Sequence, residues 1–163
     1  MRALFPASFD PVTNGHMDIV TRAARCFESV IVGAFDDHNA TTLFTVEERV
    51  EMLRTAAAHL TNVTVQPYAG LTVDFAREID AGVLVRGLRA VSDFEYEFAF
   101  SSMNRRLYPE IDTVFFLSAP EHTYVSSTLV REIGRLGRSV EEFVPTNVAA
   151  AVGAKFGHAT SRG

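Results

Sequence analysis

Apolar runs too continuous for half-exposed strands recur along this chain, and stretches with helical spacing separate them. Ser29-Val30-Ile31-Val32-Gly33-Ala34-Phe35, Val83-Leu84-Val85 and Val114-Phe115-Phe116-Leu117 are such runs. A strand covered on one face alternates apolar with polar residues, whereas a strand covered on both faces has no need to. Helices cover both faces when parallel strands are joined by crossovers. The expectation is a single α/β domain with a five-stranded parallel sheet and helices on both faces. Its strands fall near residues 2–6, 29–35, 62–67, 82–86 and 112–117, and the three runs above are expected to form the central sheet.

The spacing predicts a first helix over about 15–27, with Ile19, Val20, Ala23 and Phe27 on one face, and Asn14 would cap it if the turn before it has only a structural role. A second starts at Thr45-Val46-Glu47-Glu48, a capping box, and carries Val50, Leu53 and Ala57 at helical intervals. The third is short, about 71–80. The fourth, about 91–107, has Phe94 and Phe98 on one side and Tyr96, Phe100 and Met103 on another. A domain this small has little depth to sink a helix that is apolar on two sides, so one side is expected to meet a neighbouring subunit in a homo-oligomer. A fifth helix follows Ser126-Ser127-Thr128, and Ser139-Val140-Glu141-Glu142 and Pro145 read as further starts. Residues 1–156 form the domain in this reading, and 157–163 a frayed tail.

Composition narrows the ligands. With 163 residues, 47% of them hydrophobic, there is material for one sizeable core. A formal charge of −5 argues against a nucleic-acid partner but leaves small anions open. Lys155 is the only lysine among 15 basic residues, so a phosphate clamp has to come from arginine, histidine and backbone. The lone cysteine, Cys26, can build neither an internal disulfide nor a zinc cluster and reads as helix filler. No apolar run approaches the roughly 20 residues of a membrane span, and no charged-then-apolar leader opens the chain. The expectation is therefore a cytoplasmic protein with no membrane partner.

Three segments lie just beyond strand ends, where open parallel sheets bind ligands. The first runs from Pro6 to His16 and delivers Gly15 and His16 to a helix start. Free N–H groups and the helix dipole favour an anion there, although Thr13-Asn14-Gly15-His16 alone reads equally well as a turn and a cap. The second, Arg86-Gly87-Leu88-Arg89, follows a buried strand, so Arg86 needs either an anion or a salt bridge to Asp93, Glu95 or Glu97. The third, Val125-Ser126-Ser127-Thr128-Leu129-Val130-Arg131, offers three hydroxyls that can cap a helix or face a triphosphate. Asp36-Asp37-His38 reads as a solvated loop rather than a metal site, and His59, His122 and His158 lack ligand-like spacing. Neither G-x-x-x-x-G-K-[ST] nor G-x-G-x-x-G, H-E-x-x-H or G-x-S-x-G occurs.

Thr13-Asn14-Gly15-His16 resembles the T/H-x-G-H signature of nucleotidyltransferases. Ser8-Phe9-Asp10-Pro11-Val12-Thr13-Asn14-Gly15-His16 and the run Arg86 to Glu97 resemble the pantetheine-phosphate adenylyltransferase family, as does Val125 to Arg131, with valine where the superfamily motif has isoleucine. The resemblance covers about residues 2–156. It implies a Rossmann-like sheet, a homohexamer, and adenylyl transfer from ATP to 4'-phosphopantetheine with Mg2+, giving dephospho-coenzyme A and pyrophosphate. Coenzyme A would be a feedback ligand. By matching position it implies His16 as the catalytic residue. ATP would be held by Ser8, Phe9, His16, Gly87, Leu88, Arg89, Glu97 and the stretch His122, Thr123, Tyr124, Val125, Ser126, Ser127 and Thr128. The acceptor would be held by Ser8, Ala40, Thr72 and Arg86. No protein metal ligand is implied.

Two positions depart from that family's pattern. Ala7 stands where glycine is usual, and Ala40 where the loop after the second strand normally carries lysine near the attacking phosphate. Two other readings stay open: a related nucleotidyltransferase with another acceptor, such as nicotinamide mononucleotide, and a nucleotide-binding sensor that has lost catalysis.

Overall fold

A computed structural model describes residues 1–38 and 40–157. Five strands, β1 (Arg2–Ala7), β2 (Ser29–Phe35), β3 (Val63–Tyr68), β4 (Val83–Leu88) and β5 (Asp112–Leu117), form one sheet in the order β3-β2-β1-β4-β5. Every neighbouring pair is parallel. Among the described residues, α1 (Asn14–Cys26), α2 (Val46–Ala57), α3 (Thr72–Glu78) and α4 (Val91–Leu107) alternate with the strands, and α5 (Ser127–Arg135) and α6 (Thr146–Phe156) both follow β5.

Side-chain alternation divides the interior into two cores. Ala3 and Phe5 of β1, Val30 and Val32 of β2, and Val83 and Val85 of β4 share one core with α1, α2, α5 and α6. Leu4, Ile31 and Leu84 face the other core, with Val73, Phe75 and Ala76 of α3. The sheet is thus covered on both faces, as the unbroken apolar runs require. None of the described helices is long and apolar enough to cross a membrane.

Four expectations need correcting or bounding. β5 pairs only with β4 at the sheet edge, and β1 takes the centre; Val114 and Leu117 are exposed, so an apolar run can mark an uncovered surface as well as a buried strand. Thr13, not Asn14, caps α1. No helix starts at Ser139: its hydroxyl accepts from the Glu141 N–H only two residues on, and Pro145 bars a helix from running through it. Of the expected tail at 157–163, Gly157 caps α6 in the left-handed conformation, and 158–163 lie outside the described residues.

Chain order places the site. From β1 the chain runs outward through β2 to β3, then crosses back to β4 on the far side of β1. Loops leaving β1 and β4 therefore diverge to opposite faces, and a crevice opens between their carboxyl ends.

Helix α4 is inverted relative to an ordinary amphipathic helix. It buries Glu97 and Asn104 and exposes Val91, Phe94, Tyr96, Phe98, Met103 and Leu107. Tyr96 and Phe100 stack with centroids 6.1 Å apart, and Phe94 and Phe98 lie 5.9 Å apart.

Candidate active site

A cavity of about 490 Å³ fills that crevice, a volume suited to a nucleotide-sized ligand. Ala7, His16, Arg86, Arg89, Glu97 and Ser127 are among its lining, so all three sequence motifs reach one space. Gly15, Gly87, His122, Val125 and Ser126 line it as well.

His16 is held by reciprocal capping at the start of α1. Its Nδ1 accepts the Thr13 N–H at 3.0 Å, while the Thr13 hydroxyl accepts the His16 N–H at 3.3 Å. Because Nδ1 is an acceptor, the proton of the neutral ring sits on Nε2. The ring packs edge-on to Phe9, with centroids 5.0 Å apart. Burial first, then the charges of Arg89 and Arg86, lower its pKa from 6.5 to about 4. At neutral pH His16 is an uncharged N–H donor in a defined tautomer.

Arg86, leaving β4, meets a carboxylate in a fork. Its Nε donates to Glu97 Oε2 at 2.8 Å and its Nη2 to Oε1 at 2.6 Å; Nη1 donates to the Pro6 carbonyl at 3.0 Å. The guanidinium lies over the Phe100 ring, 5.5 Å from its centroid. Of the three carboxylates the sequence offered, Glu97 is the partner. Asp93, one turn earlier on α4, accepts the backbone N–H of Arg89 and pairs with its guanidinium at 3.6 Å. With both arginines paired and His16 neutral, these side chains sum to zero charge. Gly87 sits between them because α1 passes close by: a Cβ there would come within 2.4 Å of Ile19 Cδ1.

The hydroxyls of the third motif are already engaged. Ser126 Oγ caps α5 by accepting the Leu129 N–H at 3.2 Å, and Ser127 Oγ donates to the Pro11 carbonyl at 2.7 Å. What α5 presents to the cavity is the positive end of its first turn. Thr123 donates to the Pro120 carbonyl, exposed Tyr124 packs edge-on to Phe143, and Thr128 accepts from Arg131.

Several residues implied by the resemblance stand outside the cavity lining. Ser8 is exposed, and its carbonyl accepts from Arg49; Phe9 is buried, with φ +52°; Leu88 ends β4. Thr72 opens α3, with its hydroxyl 3.0 Å from that of Tyr68. Ala40 is exposed on the β2–α2 loop, where the nearby His38 lies 3.3 Å from the Asp36 carboxylate.

Two residues that position the site escaped sequence reasoning. Asp10, buried, accepts the Leu43 and Phe44 N–H groups at 2.8 and 2.9 Å, while Arg131 donates to its carbonyl and lies 3.5 Å from its carboxylate. One carboxylate so ties the β1–α1 loop to the β2–α2 loop and to α5. Arg49, 1% exposed, donates from Nη1 to the Ser8 and Phe35 carbonyls and from Nε to those of Phe44 and Thr45. An arginine on the same helical stripe as Val46, Val50 and Leu53 was the available signal for it.

A family model described as cytidylyltransferase-like matches residues 4–133, from β1 into α5, and so spans all three motifs. Among solved structures, a bifunctional NMN adenylyltransferase/ADP ribose pyrophosphatase from Francisella tularensis superposes with a TM-score of 0.72 at 17% identity, over 94% of this chain and 48% of that one. The same enzyme complexed with AMP and a manganese ion gives 0.70 at 17% identity, over 94% and 49%. A provisionally assigned nicotinate-nucleotide adenylyltransferase from Vibrio parahaemolyticus gives 0.68 at 13% identity, over 94% and 91%. The chain spans about half the length of the Francisella proteins. At these identities the likeness shows the fold, which is the Rossmann-like nucleotidyltransferase fold.

Proposed function

The chain belongs to the cytidylyltransferase-like family, and from that premise we propose that it transfers the adenylyl group of ATP to the phosphate of 4'-phosphopantetheine. The observation that carries the proposal is the meeting of His16, Arg86 and the start of α5 in one cavity at the point where strand order reverses. An acceptor phosphate oxygen attacks the α-phosphorus of ATP, the bond from that phosphorus to the β-bridging oxygen breaks, and pyrophosphate leaves. Such a displacement needs alignment and charge stabilisation rather than a protein nucleophile. His16 Nε2–H donates to an oxygen of the five-coordinate phosphorus. The first turn of α5 faces the departing phosphates, and Arg86 holds the acceptor phosphate. Ser8, Phe9, Gly87 to Arg89 and His122 to Thr128 are proposed around the nucleotide, and Thr72 along the pantetheine arm.

Magnesium belongs to the substrate in this reading. Among the described residues no cluster of three or more histidine, cysteine or acidic side chains could hold a metal ion, and Asp93 and Glu97 are occupied by arginines. Mg2+ commonly takes most of its ligands from phosphates and water, and would arrive bound to ATP. The manganese ion in the AMP complex of the Francisella protein is in keeping with a divalent ion accompanying the nucleotide.

The acceptor is the finer part of the proposal. Its support is the Arg86 to Glu97 run; the names of the fold neighbours favour nicotinamide or nicotinate mononucleotide as a second reading, and Ala40 removes a cation from the phosphopantetheine side. Pyrophosphate release from ATP, measured with 4'-phosphopantetheine and with nicotinamide mononucleotide in parallel, tests it. Release with the first acceptor alone is expected. Release with the second alone overturns the acceptor, and ATP binding without release overturns the enzyme in favour of a sensor. We further propose a homo-oligomer, a hexamer by resemblance, joined through the aromatic face of α4, with coenzyme A as a feedback ligand and a cytoplasmic location.

A further inference from the structure

We propose that Glu97 is a positioning residue for the acceptor phosphate, acting through Arg86 rather than by touching the nucleotide. The inference rests on the reading of Arg86 as the acceptor-phosphate ligand.

A lone arginine at the end of β4 could swing through many rotamers, and ordering it would cost affinity each time a phosphate bound. Three contacts remove that freedom here. Glu97 takes Nε and Nη2 together, at 2.8 and 2.6 Å. The Pro6 carbonyl at the end of β1 takes one N–H of Nη1, and the Phe100 ring supports one face of the guanidinium. A guanidinium has five N–H groups, so these bonds leave one on Nη1 and one on Nη2. Two donors on adjacent nitrogens match two oxygens of one phosphate, the bidentate arrangement that arginine makes best.

Glu97 is suited to that role and poorly suited to direct ligand contact. It is 7% exposed, and each of its oxygens already accepts a charge-assisted hydrogen bond. A free carboxylate beside a triphosphate would also repel it, whereas one committed to Arg86 has its charge offset. Glu97 and Phe100 are three residues apart on α4 and so rise from one side of that helix to the same guanidinium.

The test is a double-mutant cycle. Glu97→Ala, Glu97→Gln, Arg86→Ala and the double variant are assayed by pyrophosphate release, varying ATP and 4'-phosphopantetheine separately, with thermal melting to confirm folding. Glu97→Gln keeps one acceptor for Arg86 and the side-chain shape, and so reports even where alanine destabilises the protein. Expected is a rise of ten- to a hundredfold in the KM for 4'-phosphopantetheine in Glu97→Ala, less in Glu97→Gln, with the KM for ATP within about threefold of wild type. In the Arg86→Ala background, removing Glu97 adds nothing to the acceptor KM. A rise confined to the KM for ATP, or additive effects of the two residues, overturns the inference and leaves the proposed reaction standing. Normal acceptor KM in Arg86→Ala, or no turnover by wild type, overturns the underlying reading and the inference with it.

Discussion

If His16 works as a neutral donor, acid should cost this protein a specific amount of stability that disappears when residue 16 cannot titrate. The folded pKa is about 4 against 6.5 for a free imidazole. The folded value is depressed, so the unfolded chain takes up the proton first as pH falls. The contribution is therefore fully present above about pH 6.5 and is lost on descending towards 4. At about 1.4 kcal/mol per pH unit, the loss between pH 7.5 and 4.5 is roughly 2–3 kcal/mol. Structure explains the direction: a proton on Nδ1 would oppose the Thr13 N–H that Nδ1 now accepts, breaking the cap that orients the ring. Urea unfolding of wild type and His16→Gln at the two pH values isolates the effect. Carboxylates such as Glu28, Glu47 and Glu48, whose pKa values are lowered, titrate in both proteins and cancel. The acid-induced loss should be larger in wild type than in His16→Gln by those 2–3 kcal/mol, and the wild-type kcat should stay flat between pH 6 and 8. Parallel losses, or a break in kcat near pH 6.5, would refute the neutral, pre-aimed imidazole.

Removing the same side chain by His16→Ala should slow turnover at least about a hundredfold, roughly 3 kcal/mol of barrier, measured as kcat for pyrophosphate release. Arg49→Met should destabilise by about 3 kcal/mol or more in urea unfolding, because the carbonyls of Ser8, Phe35, Phe44 and Thr45 lose their buried donor. Gly134→Ala should gain about 1 kcal/mol on helix propensity alone, yet a Cβ there would lie 2.6 Å from Val152 Cγ1 and 3.2 Å from Phe156. Net destabilisation of about 1–3 kcal/mol is expected, and Val152→Ala should reduce the clash, both read from urea midpoints. Phe98→Glu should shift the protein towards its 17.9 kDa monomer in sedimentation velocity; an unchanged distribution would mean that this face of α4 is not where copies meet.

The sheet was legible because burial on both faces leaves a direct trace: β2 can be read from Ser29 to Phe35 without knowing its neighbours. The start of α2 was equally readable, since the Thr45 and Glu48 contacts of a capping box span only three residues. Strand order was not. The unbroken apolar run of β5 looks central, yet it lies at the edge with Leu117 exposed, because composition records how apolar a surface is and not what covers it. Because His16, Arg86 and Ser127 each lie at or after the carboxyl end of a strand, and those ends open on the same edge of the sheet, they line one cavity. The partners within it depend on distances across the fold. Glu97 was one of three candidates eleven residues or fewer from Arg86, and nothing local to Asp10 announces that its carboxylate serves Leu43 and Phe44, more than thirty residues away.

The way Asp10 grips the β2–α2 loop bears on which positions there can vary. Its carboxylate takes hold of the loop through the main-chain amides of Leu43 and Phe44, groups that every residue except proline possesses. Side chains just upstream, Ala40 among them, can therefore be exchanged while the segment stays anchored to the motif that carries His16. If the proposed acceptor lies along this loop, its preference would shift by editing a few solvent-facing positions, with the motif that carries His16 left in place.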